Sequence, residues 1–352
     1  MEKDTTIAVD IAKRVFELAI SKEPGRVCQR RRLSRTQMLR EFTNREPATV
    51  VMEACGSAHY WGRELQALGH RVLLLPARHV SPYRMGNKTD RTDADALLEA
   101  RRNEKILPVP VKTVSQQTLG FLHRARAGWM LTRTARLNAL RGILRELGVC
   151  IPLGASQVLP GLLKAIGEDH VPEGLKPQLL AVAEELGELD RRILDCERQL
   201  ERIGKQTVGV EWLRSVPGIG PLTSTALAAT IVDPARFRSG RRMAAFIGLV
   251  PRERSSGNQR HLGSITKRGD PYLRTLLIHG ARSVLLAAKR SKHNDHLHSW
   301  ALAVAARTGH NKAAVALSNK MARIAWAVWT KGTPYVSTAT TGRRGNSLER
   351  KR

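Results

Sequence analysis

Three short strand-like runs stand at the head of the chain with no room for a helix between them, and this order constrains the fold more than any other feature. TTIAVDIA is an apolar run that carries Asp10. VFELAISK places Phe16, Leu18 and Ile20 at period two, and RVCQRRRL follows a Pro-Gly turn. Runs so close together suggest an antiparallel three-strand meander. SRTQMLREFTNRE then opens on Ser34 with apolar residues at helical spacing, which predicts a helix. ATVVMEA reads as a buried strand ending near Glu53, AHYWGRELQALG as a helix closed by Gly69, and RVLLLPA as another strand.

The resulting order, βββαβαβ, is that of the RNase H and Holliday-junction-resolvase architecture, an analogy until a site supports it. PVPVK (Pro108–Lys112) reads as a linker. A long helix is expected from about Ser115 to Leu147, carrying Arg124, Arg126, Arg133, Arg136, Arg141 and Arg145. Beyond a proline-containing loop, Leu179, Val182, Leu186, Leu189, Ile193, Cys196, Leu200 and Ile203 recur at alternating spacings of three and four. That is a heptad seam, and a seam requires a partner helix without saying whose. A helical hairpin within the chain and a coiled coil between chains both satisfy it. From Trp212 the chain reads as mostly helical to about Gly332, and YVSTATTGRRGNSLERKR has the composition of a disordered tail. The expected fold is therefore an α/β RNase H-like domain over 1–107, a helical coiled-coil region over 108–207, a mostly α C-terminal domain over 208–332 and a basic tail over 333–352.

The acids have a pattern. Asp10 stands at the end of the first strand and Glu53 at the end of the fourth, which become neighbours if those strands are parallel. In NKTDRTDADALLEA, Asp90 and Asp93 are three apart and share a helix face, while Asp95 lies off that face. Each acid alone has an ordinary reading, as a turn residue, an N-cap or a first-turn acid. Four carboxylates within ~4 Å of one another repel by several kcal/mol. Such a set is stable with divalent cations between its oxygens. Mg²⁺, as a pair of ions with Mn²⁺ as a substitute, suits all-oxygen ligands and phosphate chemistry.

The C-terminal third carries two further motifs. SVPGIGPLTSTALAA has the form of a helix-hairpin-helix, whose second helix could bind a phosphate at its N-terminus or could simply pack. Between Arg236 and Arg274 there are ten Lys and Arg against two acids, Glu253 and Asp270. Asp270-Pro271 reads as an N-cap followed by the first helical residue. The loop before it places Ser255, Ser256, Ser264 and Thr266 among Arg252, Arg254, Arg260, Lys267 and Arg268, with Arg274 beyond. Its residues suit a phosphate-binding loop, and a serine nucleophile flanked by arginines is the sharper alternative. His293, His296 and His298 in KHNDHLH lack a Cys or a fourth ligand at zinc spacing.

Charge bounds the partners. The 352 residues carry 59 Lys and Arg against 31 Asp and Glu, a net charge of +28, the mark of a protein that gathers nucleic acid. Apolar runs are too short to span a bilayer, and no signal peptide is evident, so the expected setting is the cytoplasm with no membrane partner. The aromatic content of 4% argues against stacking as the main binding device. Four scattered cysteines without a CxxC pair read as reduced packing thiols.

Together AVDIAK, VVMEACG, NKTDRTDADAL, VPGIG, AAFIGLVPRERSSG and ITKRGDPYLRTLL resemble the DEDD-type insertion-sequence transposases, relatives of the Piv DNA invertase described as bridge-RNA-guided recombinases. The motifs fall in order from about Ile7 to Gly332. The resemblance implies a Holliday-junction-resolvase-like domain, a coiled coil and a C-terminal transposase domain with a catalytic serine. It maps the four acids onto Asp10, Glu53, Asp90 and Asp93 and the serine onto Ser256, with Ser255 adjacent. It also implies double-stranded DNA as substrate, a structured guide RNA as partner, and a dimer assembling to a tetramer. The competing readings are a metal-dependent junction nuclease that uses water, and a non-catalytic nucleic-acid-binding regulator.

Overall fold

The computed structural model describes residues 5–168, 170–257, 259–291 and 295–337. It divides into two compact units, residues 1–117 and 118–352.

In the first unit the expected meander is present. β1 (Thr6–Ile11), β2 (Val15–Ser21) and β3 (Gln29–Ser34) pair antiparallel in sequence. α1 (Arg35–Thr43) follows, closed at its start by a Ser34/Gln37 capping box. Then β4 (Thr49–Glu53) pairs parallel with β1, α2 (Ala58–Ala67) crosses over, and β5 (Arg71–Leu75) pairs parallel with β4. The sheet order is β3-β2-β1-β4-β5. After a single turn, α3 (Ala77–Val80), the chain enters α4 (Asp90–Arg101).

Period-two alternation builds two different faces on this sheet. Ile7, Val9, Phe16, Leu18 and Met52 pack against Met38 and Phe42 of α1 and Trp61 and Leu65 of α2. On the other face Ala8, Ala19 and Val51 meet Ala94, Ala96, Leu97 and Ala100 of α4. Small residues on both sides let α4 lie close to β1 and β2. Asp10 shares the parity of Ala8, and Glu53 that of Val51, so both acids project on the α4 side.

Pro108–Lys112, expected as a linker, is bound to this unit instead. Val109 N–H donates to the Leu74 carbonyl at 2.7 Å as a bridge on the β5 edge. Lys112 N–H donates to His59 Nδ1 at 3.2 Å, and Arg63 donates to the Lys112 carbonyl at 2.8 Å. Burial and the neighbouring Lys112 and Arg63 charges lower the His59 pKa to about 4, which keeps it a neutral acceptor.

The second unit is helical apart from one hairpin. α5 (Val114–Glu146) matches the long helix expected from sequence. α6 (Val158–Gly167) follows, and α7 (Lys176–Lys205) carries the heptad seam. The seam finds its partner in α5 of the same chain: Leu137, Leu140 and Leu144 cluster with Leu179 and Leu186 at one end, and Leu119 and Leu122 with Cys196 and Leu200 at the other. Ion pairs Arg126–Glu197, Arg133–Asp190 and Arg136–Glu185 run antiparallel along the pair. The hairpin reading of the seam is the one realised within the chain.

α8 (Val210–Arg214), α9 (Pro221–Ile231), α10 (Gly240–Ile247), the strands β6 (Pro251–Glu253) and β7 (Leu262–Ile265), α11 (Pro271–Arg290), α12 (His296–Thr308) and α13 (His310–Lys331) complete the unit. Their core includes Leu213, Leu227, Met243, Leu277, Leu317 and Met321. A buried polar link joins the hairpin to it: His123 of α5 bonds Thr225 of α9 at 3.0 Å and the Tyr272 hydroxyl of α11 at 3.1 Å. Asp270 caps α11 as expected, accepting from Tyr272 N–H and Leu273 N–H, with Pro271 at the first helical position.

One sequence expectation changes. Cys196 is buried, but Cys28, Cys55 and Cys150 are exposed, so only one of the four free thiols is a packing residue. The Pro-Gly-x-Gly turn between α8 and α9 packs against α11: a Cβ on Gly280 would collide with the Gly218 carbonyl, and one on Gly218 would meet the Gly280 carbonyl at 2.8 Å. The expected disordered tail falls mostly on residues 338–352, outside the described residues. Gly280→Ala should lower stability by roughly 1–3 kcal/mol through overpacking; thermal unfolding of the variant checks this, and an unchanged midpoint would contradict the contact.

Candidate active site

The carboxyl ends of β1 and β4 bring Asp10 and Glu53 together. Parallel pairing runs in register from Thr6↔Thr49 to Val9↔Met52, so the next residue on each strand is the acid. α4 begins over the same end. Its N-cap is Thr89, whose hydroxyl accepts from Thr92 N–H at 3.2 Å in a capping box. Asp90 and Asp93 therefore occupy the first turn, where the helix dipole favours carboxylates.

The electrostatics at Asp10 record the convergence. Its pKa is raised from 3.8 to about 6, first by burial and then by Asp93, Asp90 and Glu53, with Lys88 acting the other way. Asp93, Asp90 and Glu53 thus all bear electrostatically on Asp10. Asp95 takes a separate role, paired with Arg30 of β3 at 2.8 Å.

The acids are gathered but not closed. Asp93 is engaged by Arg84, and among the described residues no three His, Cys, Asp or Glu side chains stand close enough to enclose a metal ion. The chemistry of the set still fits a hard divalent cation, since its candidate ligands are all carboxylates and burial with neighbouring acids penalises ionising Asp10. Arg84 and Lys88 were not foreseen from sequence. They belong to the basic background of the chain, and only the turn before α4 brings them to the acids. Cys55, two residues beyond Glu53, also borders the site: burial, then Glu53 and Asp10, push its thiol upward.

The basic loop of the second unit is an exposed β-hairpin. β6 and β7 pair through Pro251↔Ile265 and Glu253↔Leu262. The pairing continues with Arg254 N–H donating to His261 O at 3.0 Å and an isolated bridge between Ser256 and Gln259. Ser256 thus sits near the hairpin tip, and Pro251 to Gly257 are all exposed. The two serines differ. Ser255 Oγ donates to Glu253 Oε1 at 2.9 Å, and Arg260 Nε donates to the same oxygen at 3.1 Å. Among the described residues the Ser256 hydroxyl has no partner, and no base stands against it.

The hairpin base is rigid. A Cβ on Gly248 would strike the Arg268 carbonyl, and one on Gly269 the Phe246 carbonyl. Lys267 N–H donates to Gly248 O at 3.1 Å and holds the left-handed φ of +54°, a strained setting for a lysine. Arg252, Arg254, Arg260, Lys267 and Arg268 are exposed, whereas Arg274 is half-buried and donates to the Ile247 carbonyl at 3.2 Å. Of the histidines, His298 is taken up in the α12 cap through Asp295 at 2.6 Å, and His293 lies outside the described residues.

Because the folded pKa of Asp10 is raised, the folded state binds more protons than the unfolded one between about pH 4 and pH 6. Its contribution to stability is favourable at low pH and is lost as pH rises through 6. Asp10→Asn should therefore stabilise the protein in chelator above pH 6, by about 1 kcal/mol after discounting for partial exposure. The difference should vanish below pH 4. Thermal unfolding across pH checks both the sign and the window.

Comparison with known proteins agrees with this layout. Residues 210–299 match the family described as Transposase IS116/IS110/IS902 family, and residues 7–149 match the DEDD transposase family of IS110. The chain is 40% identical over 333 residues to a probable family 20 transposase of Pseudomonas aeruginosa, covering 94% of this chain and 98% of that protein. It is 39% identical to the transposase for insertion sequence element IS1111A of Coxiella burnetii, over 94% of this chain and 90% of that one. It is 33% identical to the transposase for insertion sequence element IS1328 of Yersinia enterocolitica, over 95% and 99%. No helix among the described residues is long and apolar enough to cross a membrane. With strand-end acids on a mixed five-stranded sheet and relatives matched almost end to end, the chain belongs to the IS110/IS116 family of DEDD insertion-sequence transposases.

Proposed function

We propose that this transposase cuts and rejoins DNA through a covalent phosphoserine at Ser256, acting together with the acids Asp10, Glu53, Asp90 and Asp93. The observation that carries the proposal is the difference between the two adjacent serines: Ser255 is tied to Glu253, and Ser256 is exposed and unengaged in a cationic hairpin. A hydroxyl already held as a donor is a poorer nucleophile than one free to approach phosphorus.

In the proposed step Ser256 Oγ attacks a phosphodiester phosphorus. A P–O bond to serine forms, the bond to one deoxyribose oxygen breaks, and the serine proton passes to that leaving oxygen. Attack by a hydroxyl of another strand then restores the phosphodiester and returns the proton to Ser256. One high-energy bond is exchanged for another of the same kind, so no external energy source is needed. Arg252, Arg254, Arg260, Lys267 and Arg268 would steer and hold phosphates, and Arg274 braces the start of α11.

The four acids are the residues that would hold Mg²⁺, as a pair of ions. When bound, the metal supplies Lewis-acid stabilisation of charge developing on the phosphate oxygens. Asp10 would give up its proton on binding, and Asp93 would exchange Arg84 for the cation. Among the described residues no base stands against Ser256, which supports a site composed across the subunits of a dimer that assembles to a tetramer.

A structured guide RNA is the proposed reader of sequence. The net charge of +28 suits a protein that binds backbones and delegates base recognition to pairing. RNA recovered with the purified protein and mapped to the DNA beside its gene would support this, and recombination by RNA-free protein would refute it.

The mechanism is tested by trapping. A denaturation-resistant protein–DNA adduct is expected with the wild type and with Ser255→Ala, and none with Ser256→Ala. Free 3′-OH and 5′-phosphate ends with no adduct, and cutting that survives in Ser256→Ala, would instead mark a metal-dependent nuclease using water.

A further inference from the structure

The end of the sheet that carries the acids also carries exposed cations and an exposed aromatic residue. The turn between β1 and β2 is Ala12, Lys13 and Arg14, all exposed. β3 is antiparallel to β2, as β1 is, so β3 ends and α1 begins at this same end. Arg35 N–H donates to the Arg14 carbonyl at 3.1 Å and fixes the two segments side by side. β4 is parallel to β1, which brings the first turn of α2, with Tyr60 and Trp61, to the same rim.

The Arg35 guanidinium lies over the Trp61 ring, 5.1 Å from its centroid, and 5.8 Å from that of Tyr60. Trp61 is buried edge-on against Phe16 and has a plain role in the core. Tyr60 is 39% exposed and has none. A cation–π contact accounts for Arg35 resting on the rings. It does not account for the exposure of Tyr60, nor for Lys13 and Arg14, which among the described residues make no ion pair. An aromatic face interleaved with free cations is the arrangement that takes a nucleic-acid strand with an accessible base.

The two features lie on opposite layers. Asp10 and Glu53 project on the α4 side, and Tyr60 belongs to the α1 and α2 side. We propose that Lys13, Arg14 and Arg35 carry the backbone of one DNA strand over this rim, and that Tyr60 stacks on an unpaired base of the strand whose phosphate reacts at the acids. Tyr60 acts here as a positioning residue. A base within a duplex offers no free face, so binding in this way requires local unpairing of the DNA near the reacting phosphate. The inference rests on the acid cluster as the phosphate-reacting site.

The experiment uses the full chain in chelator and a DNA oligonucleotide with a short unpaired segment, in which 2-aminopurine is moved one position at a time. Fluorescence reads stacking without any catalysis. Wild type is expected to quench the probe at one position. Tyr60→Ala should lose that quenching and bind about ten-fold more weakly, while Tyr60→Phe restores both. Lys13→Ala/Arg14→Ala, on an exposed turn that does not threaten folding, should weaken binding and reduce the logarithmic salt slope by about two. Unchanged quenching in Tyr60→Ala, an unchanged salt slope in the double variant, or stronger quenching of the same sequence made as RNA would overturn the proposal. Loss of activity in Asp10→Asn tests the acid reading separately, because strand binding in chelator does not depend on it.

Discussion

Ionising Asp10 in the company of Asp93, Asp90 and Glu53 is costly, and much of the first unit serves to maintain that crowding. Parallel pairing of β1 with β4 sets Asp10 beside Glu53. Alanines at 8, 19, 94, 96 and 100 bring α4 down onto the sheet so that its first turn adds two more carboxylates. The Thr89 capping box fixes where that turn begins. These features impose a repulsion that the α4 dipole, Arg84 and Lys88 offset in part, and a fold that holds carboxylates in this way is poised to gain from any cation that enters.

The second unit solves the opposite problem. It presents cations on an exposed hairpin, where among the described residues Arg252, Arg254, Lys267 and Arg268 make no ion pair while Arg260 meets Glu253. The β6–β7 hairpin does this by projecting away from the helical core on a base locked by Gly248 and Gly269. Glu253 spends itself on Ser255 and Arg260, leaving Ser256 free. On the α5–α7 pair the logic reverses, and Arg126, Arg133 and Arg136 are neutralised by acids across the seam. Arginine thus has two roles in this chain: structural where an acid on the partner helix meets it, and available to phosphate where none does.

What the sequence disclosed follows from what is local. Period-two runs and short turns fixed the strand order, and the strand-end position of Asp10 and Glu53 made their meeting legible. The N-cap at Asp270 was legible because a cap acts within three residues. Partners distant in the chain were not. Nothing in the heptad spacing distinguishes α5 of the same chain from a helix of another. The hold on Pro108–Lys112 comes from the Leu74 carbonyl, His59 and Arg63, groups without a sequence signature. The Arg84–Asp93 pair and the close approach of Gly218 to Gly280 were hidden for the same reason. Exposure of Cys28, Cys55 and Cys150 overturned an expectation drawn from the general habit of free thiols.

The central claim is that the crowded acids form a cation site. Calorimetric titration of the full-length protein with Mn²⁺ tests it most directly. The account predicts saturable binding with proton release near pH 6, as Asp10 gives up its proton, and loss of that binding in both Asp10→Asn and Asp93→Asn. Binding that is absent in the wild type, or that persists unchanged in both variants, would contradict it.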